Sequence, residues 1–120
     1  MKKKVIVVDD DQGILEVIKI ILEEEDYQVI TIDEGKTILP RIMQEKPDVI
    51  LLDIWMSGQD GGEIAKNLKN NPDTKNIPII MVSAKNDTEK IAHDAGADDF
   101  ITKPFDMDVL LDKVKRLSSK

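Results

Sequence analysis

The 120-residue chain contains no cysteine, one histidine and one tryptophan. Without cysteine it has no disulfide, no thiolate nucleophile and no cysteine-ligated zinc site. No apolar stretch reaches membrane-spanning length, and the N-terminus lacks the apolar segment of a signal peptide. We therefore expect a cytoplasmic protein that does not interact with membranes.

Basic residues are outnumbered as well: the chain has 17 Lys and Arg residues and 24 Asp and Glu residues, which gives a formal net charge of -7. Sequence-independent nucleic-acid binding relies on clustered basic side chains, and the one basic run, residues 2–4, only precedes the first predicted strand. We therefore expect no direct contact with nucleic acid. The pattern shows no linker, and we predict a single domain over residues 1–120 without an output domain.

Short apolar runs of strand type alternate with segments of helical periodicity. The runs at 5–8, 29–32, 49–52, 79–82 and 100–102 are rich in β-branched residues, which is typical of buried parallel strands. Each run is followed by a segment whose apolar residues recur three and four positions apart. This alternation predicts an α/β fold, a flavodoxin-like doubly wound five-stranded parallel sheet in the order 2-1-3-4-5 with five helices.

Turn and capping residues predict where the helices begin and end. The first helix is expected over about Gln12–Glu25, and Pro40 must fall in the first turn of the second helix, with Thr37 as its cap. Gly96 should end the fourth helix. Four further aspartates are predicted as caps or turn formers: Asp11, Asp60, Asp87 and Asp106. The pair Asp98-Asp99 is interpreted as a solvated turn.

Reactive side chains follow four of the predicted strands. Asp9–Asp11 come after the first strand, Asp53 after the third, Ser83 after the fourth and Lys103 after the fifth. Ligands of an open parallel sheet bind at the carboxyl ends of its strands, where the strand order reverses. The order 2-1-3-4-5 reverses between strands 1 and 3, so the carboxylates should meet there.

Clustered carboxylates repel one another by roughly 4 kcal/mol per pair at about 4 Å and an effective dielectric near 20. Such a cluster therefore needs a cation or a bound proton. Ligation by oxygen alone favours Mg²⁺. A carboxylate, Mg²⁺, the Lys103 amine and the Ser83 hydroxyl together suit phosphoryl transfer to a carboxylate oxygen.

These residues lie in segments that resemble the response-regulator receiver domains (CheY-like) of bacterial two-component signalling, over essentially the whole chain. The matching segments are VVDDD at 7–11, LLDIWMSGQDG at 51–61, VSA at 82–84, AGADDF at 95–100 and TKPF at 102–105. The resemblance implies that Asp53 is the phosphoacceptor. It also implies that Asp10, Asp53 and the main-chain carbonyl of Trp55 bind Mg²⁺, and that Asp9 assists through water.

The resemblance assigns the remaining site residues to binding and switching. Ser83 would donate a hydrogen bond to the phosphoryl group and Lys103 would pair with it, with a cis peptide bond between Lys103 and Pro104. Phe100 occupies the aromatic switch position. When Ser83 moves toward the phosphoryl group, Phe100 is expected to turn inward and change the surface formed by the fourth helix, fifth strand and fifth helix.

The resemblance also implies the partners. The phosphoryl donor would be a histidine kinase or a phosphotransfer protein, and the target an unknown downstream protein or an in-chain output. Such a module is not an enzyme beyond catalysing its own phosphorylation and dephosphorylation, and we expect a monomer or a weak dimer on phosphorylation. Ser57 stands where the family usually has Pro, which loosens the loop by up to about 1 kcal/mol.

Three alternative functions can be compared with the same residues. A haloacid-dehalogenase-like phosphatase would use Asp9 with Asp11, but that family places its acidic pair after the lysine, and here Asp98-Asp99 precede Lys103. A nucleotide-binding fold is weaker, because the first turn is acidic and lacks a glycine-rich cradle. A phosphorylation-silent interaction module remains the third alternative.

Overall fold

The predicted strands form one parallel sheet in a computed structural model that describes residues 2–34, 37–56, 58–84, 86 and 88–119. In chain order the elements are β1 (Lys4–Val8), α1 (Gln12–Glu24), β2 (Gln28–Ile32), α2 (Ile38–Glu45), β3 (Val49–Asp53), β4 (Trp55–Met56), β5 (Gln59–Asp60), α3 (Gly61–Asn70), β6 (Ile79–Ser83), α4 (Thr88–Ala95), β7 (Asp99–Thr102) and α5 (Met107–Ser118). The sheet order is β2-β1-β3-β6-β7. Since β6 and β7 are the fourth and fifth long strands, the predicted order 2-1-3-4-5 with five helices is confirmed.

The register of the sheet brings the reactive residues to one edge. Val8 at the end of β1 pairs with Leu52 of β3, so the next residue of each strand, Asp9 and Asp53, lie side by side. Asp53 itself pairs with Val82 of β6, which places Ser83 one step beyond. Because Ser83 in turn pairs with Thr102 of β7, Lys103 follows at the same edge.

Two apolar layers cover the faces of the sheet. Strand residues alternate between them, as the two-residue period of a strand requires: Val5 and Val7 pack on one side and Ile6 and Val8 on the other. The first layer receives α1 and α5, and the second receives α2, α3 and α4. All five residues of β3 and of β6 are buried. The sheet is therefore a rigid base for the edge at which the reactive residues meet.

The helix ends agree with most of the capping predictions. The carboxylates of Asp11, Asp60 and Asp106 accept hydrogen bonds from the first N–H groups of α1, α3 and α5. Helix α1 ends one residue before the predicted Glu25, and Gly96 follows α4 with a φ of +79°. The prediction for Asp87 and the expected effect of Ser57 fall outside the described residues.

Thr37 occupies the N-cap position of α2, as predicted, but its side chain makes no capping hydrogen bond. Thr37 precedes the helix, but its backbone is helical (φ -97°, ψ -2°) rather than extended. Its hydroxyl therefore donates to the carbonyl of Glu34 at 3.0 Å instead of accepting from the helix. Pro40 is the third residue of α2, in the first turn as predicted.

The short antiparallel hairpin of β4 and β5 was not predicted. It occupies the connection between β3 and α3, beside the end of the strand that carries Asp53. None of the described helices is long and apolar enough to cross a membrane.

Candidate functional site

Three carboxylates converge where the strand order reverses. Asp9, Asp10 and Asp53 each present an oxygen, and these atoms lie within 4.8 Å of one another. Asp9 and Asp53 are buried, with 3% and 5% of their surface exposed, whereas Asp10 is open to solvent. The turn after β1 explains this difference, because one Asp9 oxygen accepts the Asp11 N–H at 2.9 Å and so holds the Asp9 carboxylate inward.

The lysine at the end of β7 reaches into this cluster. The Lys103 amine lies 2.9 Å from an oxygen of Asp9 and 3.9 Å from an oxygen of Asp53. The peptide bond between Lys103 and Pro104 is cis, as predicted. The sequence indicated that Lys103 and the carboxylates share an edge, but it did not indicate that Asp9 is the closer partner.

The surroundings of Asp53 raise the pKa of its carboxyl group. Burial raises its pKa most, and the charges of Asp9 and, more weakly, Asp10 raise it further. The charge of Lys103 and a hydrogen bond from the Trp55 N–H lower it, but the net pKa is about 6 instead of 3.8. The surrounding groups therefore leave negative charge at Asp53 that the protein itself does not fully neutralise.

A small cleft gives access to Asp53. It has a volume of about 210 Å³, and the residues that line it are Asp9, Asp10, Asp11, Asp53, Trp55, Ser83, Ala84 and Lys103. Ser83 is buried at the end of β6. The structure thus gathers around one cleft the predicted phosphoacceptor, the predicted metal ligands, the predicted hydroxyl donor and the predicted lysine, while their roles remain predictions.

The backbone after Asp53 is held in place by β6 and by the first residue of α3. The Ile54 N–H donates to Val82 at 3.0 Å, and the Gly61 N–H donates to the Ile54 carbonyl at 2.7 Å. A Cβ at Gly61 would lie only 2.2 Å from the carbonyl oxygen of Asp53. Glycine is required here because two stretches of backbone approach too closely for any side chain.

The predicted switch residue lies away from the cleft. Phe100 is half-buried in β7, where it packs against the layer formed by α2, α3 and α4, and it is not among the described residues that line the cleft. The Lys113 amine of α5 lies 5.9 Å from the centre of its ring, within reach of a cation–π interaction.

The interpretation of Asp99 as part of a solvated turn is wrong. Its side chain is 14% exposed and pairs with Lys113 at 2.8 Å and with Arg116. Burial alone would raise the pKa of Asp99, but hydrogen bonds from Lys113, the Phe100 N–H and Arg116 outweigh it and hold the pKa below its usual range. No local sequence pattern predicts this pairing, because α5 meets β7 only in the folded chain.

The donor set fits a hard divalent cation. Its three side chains offer oxygen only, with no imidazole or thiolate, and Mg²⁺ prefers oxygen ligands. Burial and the charge of Asp9 raise the pKa of Asp53, and a cation at this place would stabilise the ionised carboxylate. By contrast, the carboxylate of Asp11 caps α1 through the N–H groups of Gly13 and Ile14 and so has the structural role predicted for it.

Comparison with known proteins agrees with this geometry. The family described as the response regulator receiver domain matches residues 5–115. The chemotaxis protein CheY4 of Vibrio cholerae is 27% identical, with a TM-score of 0.89, over 98% of this chain and 99% of that one. The signal receiver domain of a signal transduction histidine kinase from Syntrophus aciditrophicus is 35% identical, with a TM-score of 0.89, over 98% of this chain and 90% of that one.

A third similar structure, NtrX from Brucella abortus, is a much longer chain. It is 30% identical with a TM-score of 0.88, and the match covers 99% of this chain but 27% of NtrX. The same fold thus occurs both in chains of about this length and as part of larger ones. From the family match and the fold together, this chain belongs to the response regulator receiver domains of two-component signalling, a family of phosphoacceptor signalling modules.

Proposed function

We propose that Asp53 accepts a phosphoryl group from the phosphohistidine of a histidine kinase or a phosphotransfer protein. The observation that carries this proposal is the convergence of a buried carboxylate, two neighbouring carboxylates, an amine and a hydroxyl around one cleft. Residues 1–120 would act as a single receiver domain in the cytoplasm, on a downstream protein or on an output region of the same chain.

In the proposed reaction an oxygen of Asp53 attacks the phosphorus of the donor in line with the bond that breaks. The phosphorus–nitrogen bond opens, and its electron pair stays on the imidazole of the donor. Asp53 must be ionised to attack, so its pKa of about 6 leaves it mostly reactive at neutral pH. The module would catalyse this transfer and its own dephosphorylation, but no reaction of another substrate.

The neighbouring residues would stabilise the transferred group. The amine of Lys103, 3.9 Å from Asp53, would neutralise phosphoryl oxygens, and the hydroxyl of Ser83 would donate a hydrogen bond to one of them. Asp10, Asp53 and the main-chain carbonyl of Trp55 would hold Mg²⁺, with Asp9 assisting through water, and the ion would supply further neutralisation of the phosphoryl oxygens.

The signal would then pass from the cleft to the surface of α4, β7 and α5. Movement of Ser83 toward the phosphoryl group would let the ring of Phe100 turn inward. Because Lys113 lies near that ring and also pairs with Asp99, an inward turn would alter the surroundings of a charged group on α5. We propose that this surface contacts the downstream partner and that the protein is a monomer or a weak dimer on phosphorylation.

The test is intact mass after incubation with acetyl phosphate and Mg²⁺. We expect one added phosphoryl group in the wild type, none without Mg²⁺ and none in Asp53→Asn, whereas Asp112→Asn, an exposed carboxylate of α5, should label normally. Label that persists in Asp53→Asn would move the reaction to Asp9, as in the phosphatase alternative. No label in the wild type, even from a panel of phosphorylated histidine kinases, would favour a silent module.

A further inference from the structure

A second cleft, of about 210 Å³, lies between α3 and α4 and is called the α3–α4 cleft below. Its volume is below the roughly 300–1,000 Å³ of sites for drug-sized ligands, so it suits a single side chain. Trp55 also lines the cleft above Asp53, but the other described residues of the α3–α4 cleft do not. The described residues that line the α3–α4 cleft are Trp55, Asp60, Gly62, Glu63, Lys66, Ile91, Asp94 and Ala95.

The floor and one wall of the α3–α4 cleft are apolar. Gly62 and Ala95 are buried and Ile91 is half-buried, and the two helices are close here, since a Cβ on Gly62 would lie 3.2 Å from a methyl carbon of Ile91. The wall is the indole of Trp55, which is 45% exposed while its main chain pairs with Asp60 in the β4–β5 hairpin. Because an indole is the aromatic ring that attracts cations most strongly, this wall favours a positively charged group.

The rim of the α3–α4 cleft carries a surplus of negative charge. Three exposed carboxylates, those of Asp60, Glu63 and Asp94, surround it with one amine, that of Lys66. Glu63 lies 3.8 Å from Lys66 and Asp94 lies 3.3 Å from Lys90, but these four side chains are between 47% and 80% exposed. Such exposed ion pairs contribute little to stability, so the two carboxylates can exchange them for an incoming cation.

We propose that the α3–α4 cleft binds an arginine side chain of a partner protein, with the guanidinium stacked on the indole of Trp55 and donating hydrogen bonds to Glu63 and Asp94. Arginine fits better than lysine, because its planar guanidinium can stack on the ring and present several N–H donors at once. The acidic rim would repel an anion. The proposal concerns the unmodified protein and does not depend on phosphorylation of Asp53.

The probe is the capped peptide acetyl-Gly-Arg-Gly-amide, with the same peptide carrying uncharged citrulline in place of arginine as its matched control. Trp55 is the only tryptophan, so its intrinsic fluorescence reports directly on the wall of the cleft. We expect a saturable fluorescence change with the arginine peptide that weakens as NaCl is added. The citrulline peptide should bind at least several times more weakly, because it keeps the shape and loses the charge.

Single substitutions identify the contacts. Glu63→Gln and Asp94→Asn should each bind the arginine peptide roughly two to five times more weakly, the range expected of an exposed ionic contact. Both side chains are exposed, so the variants should fold normally. Asp112→Asn, an exposed carboxylate of α5, should bind like the wild type. Trp55→Leu, followed by amide NMR shifts in place of fluorescence, should weaken binding by a similar factor.

Because Trp55 borders both clefts, the location of the peptide needs its own control. The amide shifts should centre on Ile91 and Ala95, and Asp10→Asn, which removes a carboxylate of the other cleft, should leave the affinity unchanged. Loss of binding in Asp10→Asn would place the peptide at the cleft above Asp53 and overturn the proposal. No saturable binding, equal binding of the citrulline peptide, or full affinity in both Glu63→Gln and Asp94→Asn would overturn it as well.

Discussion

Replacement of Asp53 by Asn should stabilise the metal-free protein at neutral pH. Asn keeps a side-chain oxygen that can accept the hydrogen bond from the Trp55 N–H but removes the charge. The ionised carboxylate is buried beside Asp9 and Asp10 and is only partly compensated by Lys103. The substitution therefore removes a net unfavourable charge from the folded state, although it abolishes the proposed phosphoacceptor.

The size of this effect follows from the shift of the pKa. The pKa of about 6 in the folded state stands above the ordinary Asp value of 3.8, so the folded state binds the proton more tightly than the unfolded state. Stability is then lost as pH rises from the unfolded to the folded pKa. The difference between these two pKa values corresponds to a loss of stability of roughly 3 kcal/mol at pH 7, and of between about 1 and 2 kcal/mol at pH 5.

Urea unfolding of wild type and Asp53→Asn at pH 5, 6 and 7, with a chelator present, measures this difference. We expect the advantage of Asp53→Asn to grow with pH and to level off above the folded pKa. Asp112→Asn should show no such trend, because that carboxylate is exposed. A destabilised Asp53→Asn, or a gain that does not change with pH, would refute the reasoning.

Added Mg²⁺ should offset most of the advantage of Asp53→Asn at pH 7. If the carboxylates bind the ion as proposed, Mg²⁺ stabilises the wild type by about 2.7 kcal/mol at 100 times its dissociation constant, and Asp53→Asn gains much less. An equal gain in both proteins would mean that Asp53 is not a ligand.

Two further substitutions test the packing of the site. Lys103→Met removes the cation 2.9 Å from Asp9, and it should lower the free energy of unfolding by roughly 2 kcal/mol at pH 7 and raise the pKa of Asp53. Urea unfolding measures the first effect and carboxyl NMR titration the second. An unchanged pKa of Asp53 would contradict the proposed pairing. Gly61→Ala places a Cβ 2.2 Å from the carbonyl of Asp53 and should destabilise by about 3 kcal/mol or more. Gly13→Ala, which meets only a side-chain oxygen at 3.2 Å, is the tolerated control, and equal unfolding midpoints for the two alanine variants would contradict the clash.

The sequence was a good guide to the sheet because its signals are local. Each strand is a short apolar run and each helix has its own periodicity, and five strand–helix units match the flavodoxin-like order 2-1-3-4-5. The meeting of Asp9, Asp53, Ser83 and Lys103 was predictable for the same reason, since all four lie at the carboxyl ends of strands that share one edge.

The sequence by itself thus determined the fold, the edge at which the reactive groups meet and the types of chemistry they offer. Tertiary structure alone decided that Lys103 lies nearer to Asp9 than to Asp53, that Asp99 is tied to α5 and that Trp55 borders two clefts. It also decided the pKa of Asp53. These features depend on burial and on distances of a few ångströms between distant parts of the chain, and Coulomb and desolvation energies at that range are not encoded in any local pattern.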